Sequence, residues 1–134
     1  MEFYNKTLVK VEKVTSSGST SDVQLMDLCL KLFGQRFKGI YSFDDTFELK
    51  QFEMGIVNLD KRNQPGSHWV AVVKDKKHYI VYDSFGREIK LKKYIYIMTE
   101  EDAEQHISES NCGARCVAWL VVVAVRGMKV ALSV

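Results

Sequence analysis

The stretch His68-Trp69-Val70-Ala71-Val72-Val73-Lys74-Asp75-Lys76-Lys77-His78-Tyr79-Ile80-Val81-Tyr82-Asp83 decides how this chain folds. Two runs rich in β-branched and aromatic residues, 68–73 and 78–82, flank the charged tetrapeptide 74–77. That pattern predicts an antiparallel hairpin with its tip in water. If the arms pair around a four-residue tip, Val73 faces His78 and His68 faces Asp83 across the ladder. An imidazole and a carboxylate then meet at the open end, and a slip of one residue would part them.

On the N-terminal side, Met54, Ile56, Val57 and Leu59 read as a buried strand, followed by a polar loop over residues 60–67 that holds the only proline. Before it, Phe37, Ile40, Tyr41 and Phe43 carry apolar bulk toward an acidic turn at Asp44 and Asp45. Ser21 and Gln24 have capping-box spacing, and Leu25, Leu28, Cys29 and Leu32 recur at helical intervals up to Gly34, a natural helix stop. Cys29 belongs to that helix's core face. Residues 7–14 read as a short strand, separated from the helix by the Ser/Thr/Gly loop 15–20.

On the C-terminal side a further strand is predicted over 94–97, and the acidic segment 100–104 leads to a polar loop ending at Asn111, Cys112 and Gly113. In the apolar segment 114–125, Val121, Val122 and Val123 favour a strand, whereas its length and Asn/Cys/Gly entry favour a helix. We read a buried helix, with Arg126 in its last turn and Gly127 just beyond. The expected class is α+β: a central, mostly antiparallel sheet, an N-terminal helix and a buried C-terminal helix.

A length of 134 residues suits one domain, and 46% hydrophobic residues can fill one core. With 19 basic and 17 acidic side chains the net charge is +2, so no strong field points to nucleic acid or a membrane surface. Three cysteines, an odd number, make no disulfide framework and fit a reducing compartment. Residues 1–13 lack the apolar core of a signal peptide, so export by that route is not expected. The uncharged run 116–125 is far shorter than the roughly 20 residues that span a bilayer.

The chemistry gathers at Cys112. A cysteine attacks a carbonyl as thiolate, and a helix N-terminus beside an imidazolium favours that form. Cys112 stands between a polar loop and an apolar helix, and Gly113 leaves room for a substrate backbone. Of the three histidines, His68 opens a strand after a glycine-containing loop and can reach a cleft edge. His78 sits by a lysine-rich tip and His106 in an acidic loop, where solvent exposure is expected. Asp83 is the orienting carboxylate that the hairpin delivers.

The whole set, Gly66-Ser67-His68-Trp69, then Tyr82-Asp83-Ser84-Phe85-Gly86, then Gln105 seven residues before Cys112-Gly113, resembles the adenovirus-protease-like cysteine peptidases. The order His, Asp, Gln, Cys separates it from papain-type enzymes, in which Cys precedes His, and joins it to the group that includes SUMO-deconjugating proteases. Phe37-Lys38-Gly39-Ile40 with Ile56-Val57-Asn58-Leu59 looks like virophage and polinton-type maturation proteases. The resemblance spans residues 25–125. It implies a small papain-like, adenain-like fold in which His68 is the general base, Asp83 its orienter and Cys112 the nucleophile. The Gln105 side chain and the Cys112 backbone N–H would form the oxyanion hole. It implies a viral endopeptidase acting on capsid precursor polypeptides, with small residues such as Gly near the scissile bond, within the virion or the host-cell interior. No cofactor, metal or membrane is implied, and a monomer is expected. Trp69 and Cys116 are read as structural. With little sequence after the last predicted helix, dependence on a DNA or peptide activator is not carried over.

Other readings use the same residues. A ubiquitin- or SUMO-like deconjugating protease would need a surface for a folded modifier. An acetyltransferase would form an acyl-enzyme, but the chain has no phosphate-cradling glycine loop for coenzyme A. A non-catalytic binding protein, or a zinc site built on Cys112, Cys116 and a histidine, completes the set; its Cys-x3-Cys spacing lacks a second ligand pair.

Overall fold

The computed structural model describes residues 2–15, 21–42, 45–59, 68–84, 96–99 and 112–134. Helix α1, Glu2–Thr15, stands where the sequence predicts a strand over 7–14. Tyr4, Leu8, Val11 and Thr15 fall at i, i+4, i+7 and i+11 and are buried, while Val9 and Val14 face solvent. The apparent alternation covers only part of the segment. A helical stripe begins upstream at Tyr4 and packs on the helix at residues 112–126, and its burial outweighs the β preference of three valines.

Helix α2, Asp22–Phe33, opens on the predicted capping box: the Gln24 N–H donates to Ser21 Oγ at 3.2 Å and the Ser21 N–H to Gln24 Oε1 at 3.0 Å. Gly34, at φ 58°, ends it in a backbone region that a side chain would strain. A 3-10 turn, Gly34–Arg36, then delivers strand β1, Phe37–Ser42. Asp45 closes that strand, its Oδ2 accepting from the Ser42 N–H at 2.8 Å; Asp44 lies outside the described residues.

Strands β2 (Met54–Asn58), β3 (Trp69–Asp75), β4 (His78–Tyr82) and β5 (Tyr96–Met98) complete a five-stranded sheet in the order β1-β2-β3-β4-β5. The fold is α+β, but the sheet is mixed and not mostly antiparallel. The two inner pairs are antiparallel, whereas β1/β2 and β4/β5 are parallel. The intervening segments 43–53 and 83–95 are long enough to return the chain to the same end of the sheet before the next strand, as a parallel neighbour requires.

The sheet is buried on both faces, which explains the unbroken apolar run of β3. Trp69, Ala71 and Val73 face the helices, and Val70 and Val72 pack with Phe47, Leu49, Val57, Tyr79 and Val81 on the other side. Tyr41 stacks on Phe47 at 4.8 Å between ring centres and lies over Gly39 and Gly55; a Cβ at Gly55 would sit only 3.2 Å from its ring.

The hairpin register differs from the predicted one by two residues. Asp75 pairs with His78 and Val73 with Ile80, so the turn is only Lys76-Lys77. Lys76 takes φ 56°, the positive value that primed hairpin turns demand at their first central position. Lengthening β3 through Lys74 and Asp75 gains cross-chain bonds: the Phe52 N–H donates to the Lys74 carbonyl at 2.8 Å, Lys74 N–H to the Glu53 carbonyl at 3.1 Å, and Gln51 Nε2 to Asp75 Oδ1 at 3.0 Å. Lys74 also sets its ammonium over the Tyr79 ring. These contacts outweigh a looser four-residue tip.

Helix α3, Cys112–Arg126, confirms the helical reading of the valine-rich segment, and it is buried along nearly its whole length up to Val123. Gly127, at φ 88°, turns the chain into a short unpredicted helix α4, Met128–Leu132, so α3 is not the last element. The Trp119 indole N–H donates to the Ala131 carbonyl at 2.9 Å and ties α4 down. No helix among the described residues is long and apolar enough to cross a membrane.

Candidate active site

His68 immediately precedes β3, its carbonyl accepting from the Leu59 N–H at 3.0 Å, and Asp83 immediately follows β4. In the observed register the position across from Asp83 is Val70, so His68 lies two residues further along the same side. Both residues lie just beyond the ends of their strands, at the open end of the hairpin, where the two groups meet as diagonal neighbours. His68 Nε2 and Asp83 Oδ1 are 2.6 Å apart, and both side chains are buried, at 8% and 0% exposure. An ionised carboxylate so far from water needs a strong partner, and a short, charge-assisted bond supplies it.

Cys112 is the first residue of α3 and is buried at 5% exposure, near enough to His68 for its charge to act on the imidazole. With Nε2 committed to Asp83, Nδ1 is the ring nitrogen left to take up a proton, and it is out of contact with solvent. The network therefore assigns the Nε2–H tautomer to the neutral ring. Burial disfavours the His68 cation, yet the hydrogen bond it donates to Asp83 and the adjacent Cys112, with negative charge at both, outweigh it and raise the imidazole above its ordinary value. The arrangement can pull a proton from a thiol and hold it.

The other two cysteines have the opposite environment. Burial pushes the Cys29 thiol up to about 12, and burial, reinforced by the nearby Cys112, Asp83 and Cys29, pushes the fully enclosed Cys116 well above the ordinary thiol value. Both stay protonated and inert at neutral pH. Trp69 is a core residue on the helix-facing side of β3, and His78 is half-buried at the start of β4. Gln105, His106 and the segments 60–67 and 100–111 that the sequence reads as loops lie outside the described residues.

Two residues that sequence reasoning passed over stand behind the site. Arg115, in the first turn of α3, is buried at 9% exposure and donates from Nη1 to the Tyr4 hydroxyl at 3.3 Å. Tyr4 in turn bonds the Tyr82 hydroxyl at 2.6 Å, and the Tyr82 ring stacks on Trp119. A lone arginine at the head of an otherwise apolar helix was the available signal. Among the described residues no three His, Cys, Asp or Glu side chains gather in a metal-holding arrangement. No protein-family model matches the chain, and a search of curated proteins gives no match.

Proposed function

We propose that this chain is a cysteine endopeptidase of the adenovirus-protease type, with the papain-like fold of that group, and that it cleaves capsid precursor proteins during virion maturation. The observation that carries the chemical part is the buried His68–Asp83 pair set against Cys112 at the mouth of α3. The viral substrate rests on the sequence resemblance.

In this reading the Cys112 proton passes to His68 Nδ1, and the resulting imidazolium is held by Asp83. The thiolate attacks the scissile carbonyl carbon, a C–S bond forms, and the carbonyl π electrons move onto oxygen. The Cys112 N–H, in the first helical turn, and the Gln105 amide stabilise that oxyanion, each donor of this kind being worth about 2.7–4 kcal/mol in the transition state. His68 then gives its proton to the departing amine as the C–N bond breaks. A water, deprotonated by His68, hydrolyses the thioester and returns the thiol.

The test incubates the purified chain, beside Cys112→Ala, with virion precursor proteins and sequences the new N-termini. New termini that require Cys112 support the proposal, and none from any precursor counts against it. Covalent capture by a ubiquitin- or SUMO-vinyl-sulfone, with precursors left intact, would move the assignment to deconjugation.

A further inference from the structure

Burying a guanidinium at the head of α3 sets a cation against the positive end of the helix dipole and strips it of water. Arg115 accepts both costs, and one of its partners is a hydroxyl from the far end of the chain: that of Tyr4, on α1. Polarised by the guanidinium, the Tyr4 hydroxyl becomes the better donor in its 2.6 Å bond to Tyr82. Tyr82 directly precedes Asp83, and Arg115 lies three residues after Cys112. One phenol oxygen thus joins the strand that holds the carboxylate to the helix that holds the thiol. Tyr4 is 1% exposed, and its bonds to Tyr82 and Arg115 carry its effect to the reacting groups through those two elements.

We propose that Tyr4 is a positioning residue: by bridging Tyr82 and Arg115 it sets the approach of the His68–Asp83 pair to Cys112, so that docking of the N-terminal helix governs thiol reactivity. The inference rests on the reading of His68, Asp83 and Cys112 as the reacting set. It gives α1 a role that its amphipathic stripe alone does not require, since Leu8 and Val11 would dock the helix without any hydroxyl.

The experiment measures iodoacetamide labelling of each cysteine at pH 7 by mass spectrometry, in the full chain and in Tyr4→Phe, Tyr82→Phe, the double variant and His68→Ala. Tyr4→Phe keeps the packed ring and removes only the bridging oxygen. The expected result is a loss of about tenfold in the Cys112 labelling rate, the same loss in Tyr82→Phe, and no further loss when the two are combined. Cys29 and Cys116 stay unlabelled throughout. Wild-type labelling of Cys112 in a folded Tyr4→Phe protein overturns the proposal, and so does a loss accompanied by labelling of Cys29 and Cys116, which would mean general loosening. Should Tyr4→Phe fail to fold, Tyr82→Phe decides by the same criteria, since it leaves the Arg115–Tyr4 bond in place. If His68→Ala labels Cys112 as fast as the wild type, the reading of the reacting set falls instead.

Discussion

Replacing Asp83 by Asn leaves size and shape nearly unchanged and removes one charge from the most enclosed polar contact of the site. The carboxylate is 0% exposed and 2.6 Å from His68 Nε2, so solvent screens the interaction little. A hydrogen bond to a charged group in such a place contributes about 1.5–3 kcal/mol. At roughly 1.36 kcal/mol per decade, the loss becomes a fall of about ten- to 150-fold in any step that forms the His68 imidazolium. The substitution also allows the ring to flip tautomer, because the Asn amide can donate where the carboxylate could only accept.

The same charge appears in stability. His68 is raised above its ordinary 6.5 because Asp83 and Cys112 outweigh the burial that opposes its cation. A folded value above the unfolded one means stabilisation fully present below the unfolded value and lost as pH rises through the folded one. The stability gap between wild type and Asp83→Asn should therefore be widest below pH 6.5 and narrow as His68 deprotonates. Urea denaturation across about pH 5.5 to 8.5, with iodoacetamide labelling of Cys112 at each pH, reads both effects. A labelling rate within about twofold of wild type, together with a flat stability gap, would refute the charge coupling on which the site is built.

Other consequences follow from particular contacts. In the native protein iodoacetamide should modify Cys112 alone, with Cys29 and Cys116 reacting only after denaturant is added; early modification of either would contradict their burial and raised thiol values. Gly55→Ala would put a methyl group 3.2 Å from the Tyr41 ring and 3.3 Å from the Gly39 carbonyl, and should lower stability by about 1–3 kcal/mol in a urea titration. Lys76→Gly should raise it by about 0.5–1 kcal/mol, the relief of a side chain at φ 56° offset by glycine's greater freedom when unfolded; a loss instead would mean that the Lys76 side chain holds the turn. His68→Ala should destabilise by about 3–5 kcal/mol, because it removes the imidazole from a buried ion pair, and a smaller loss in thermal melts would show that other groups or water satisfy the carboxylate.

Local chemistry decided much of this chain. The capping box at Ser21, the stop at Gly34, the arms of the hairpin and the helix beginning at Cys112 follow from signals within a few residues of each other, and the approximate locations of β2 and β5 follow from short β-rich runs. Even the pairing of His68 with Asp83 was legible through a wrong register, since the two residues stand at the open end of the hairpin in either register. Tertiary structure decided the rest. Residues 7–14 became helix because Tyr4 and α3 gave their stripe a surface to bury, and the outer strands ran parallel because long connections returned the chain to its starting end. The bridge from Tyr4 to Tyr82 and Arg115 joins residues 78 and 111 positions apart, a separation at which no local pattern carries information and only the packed core brings the groups together.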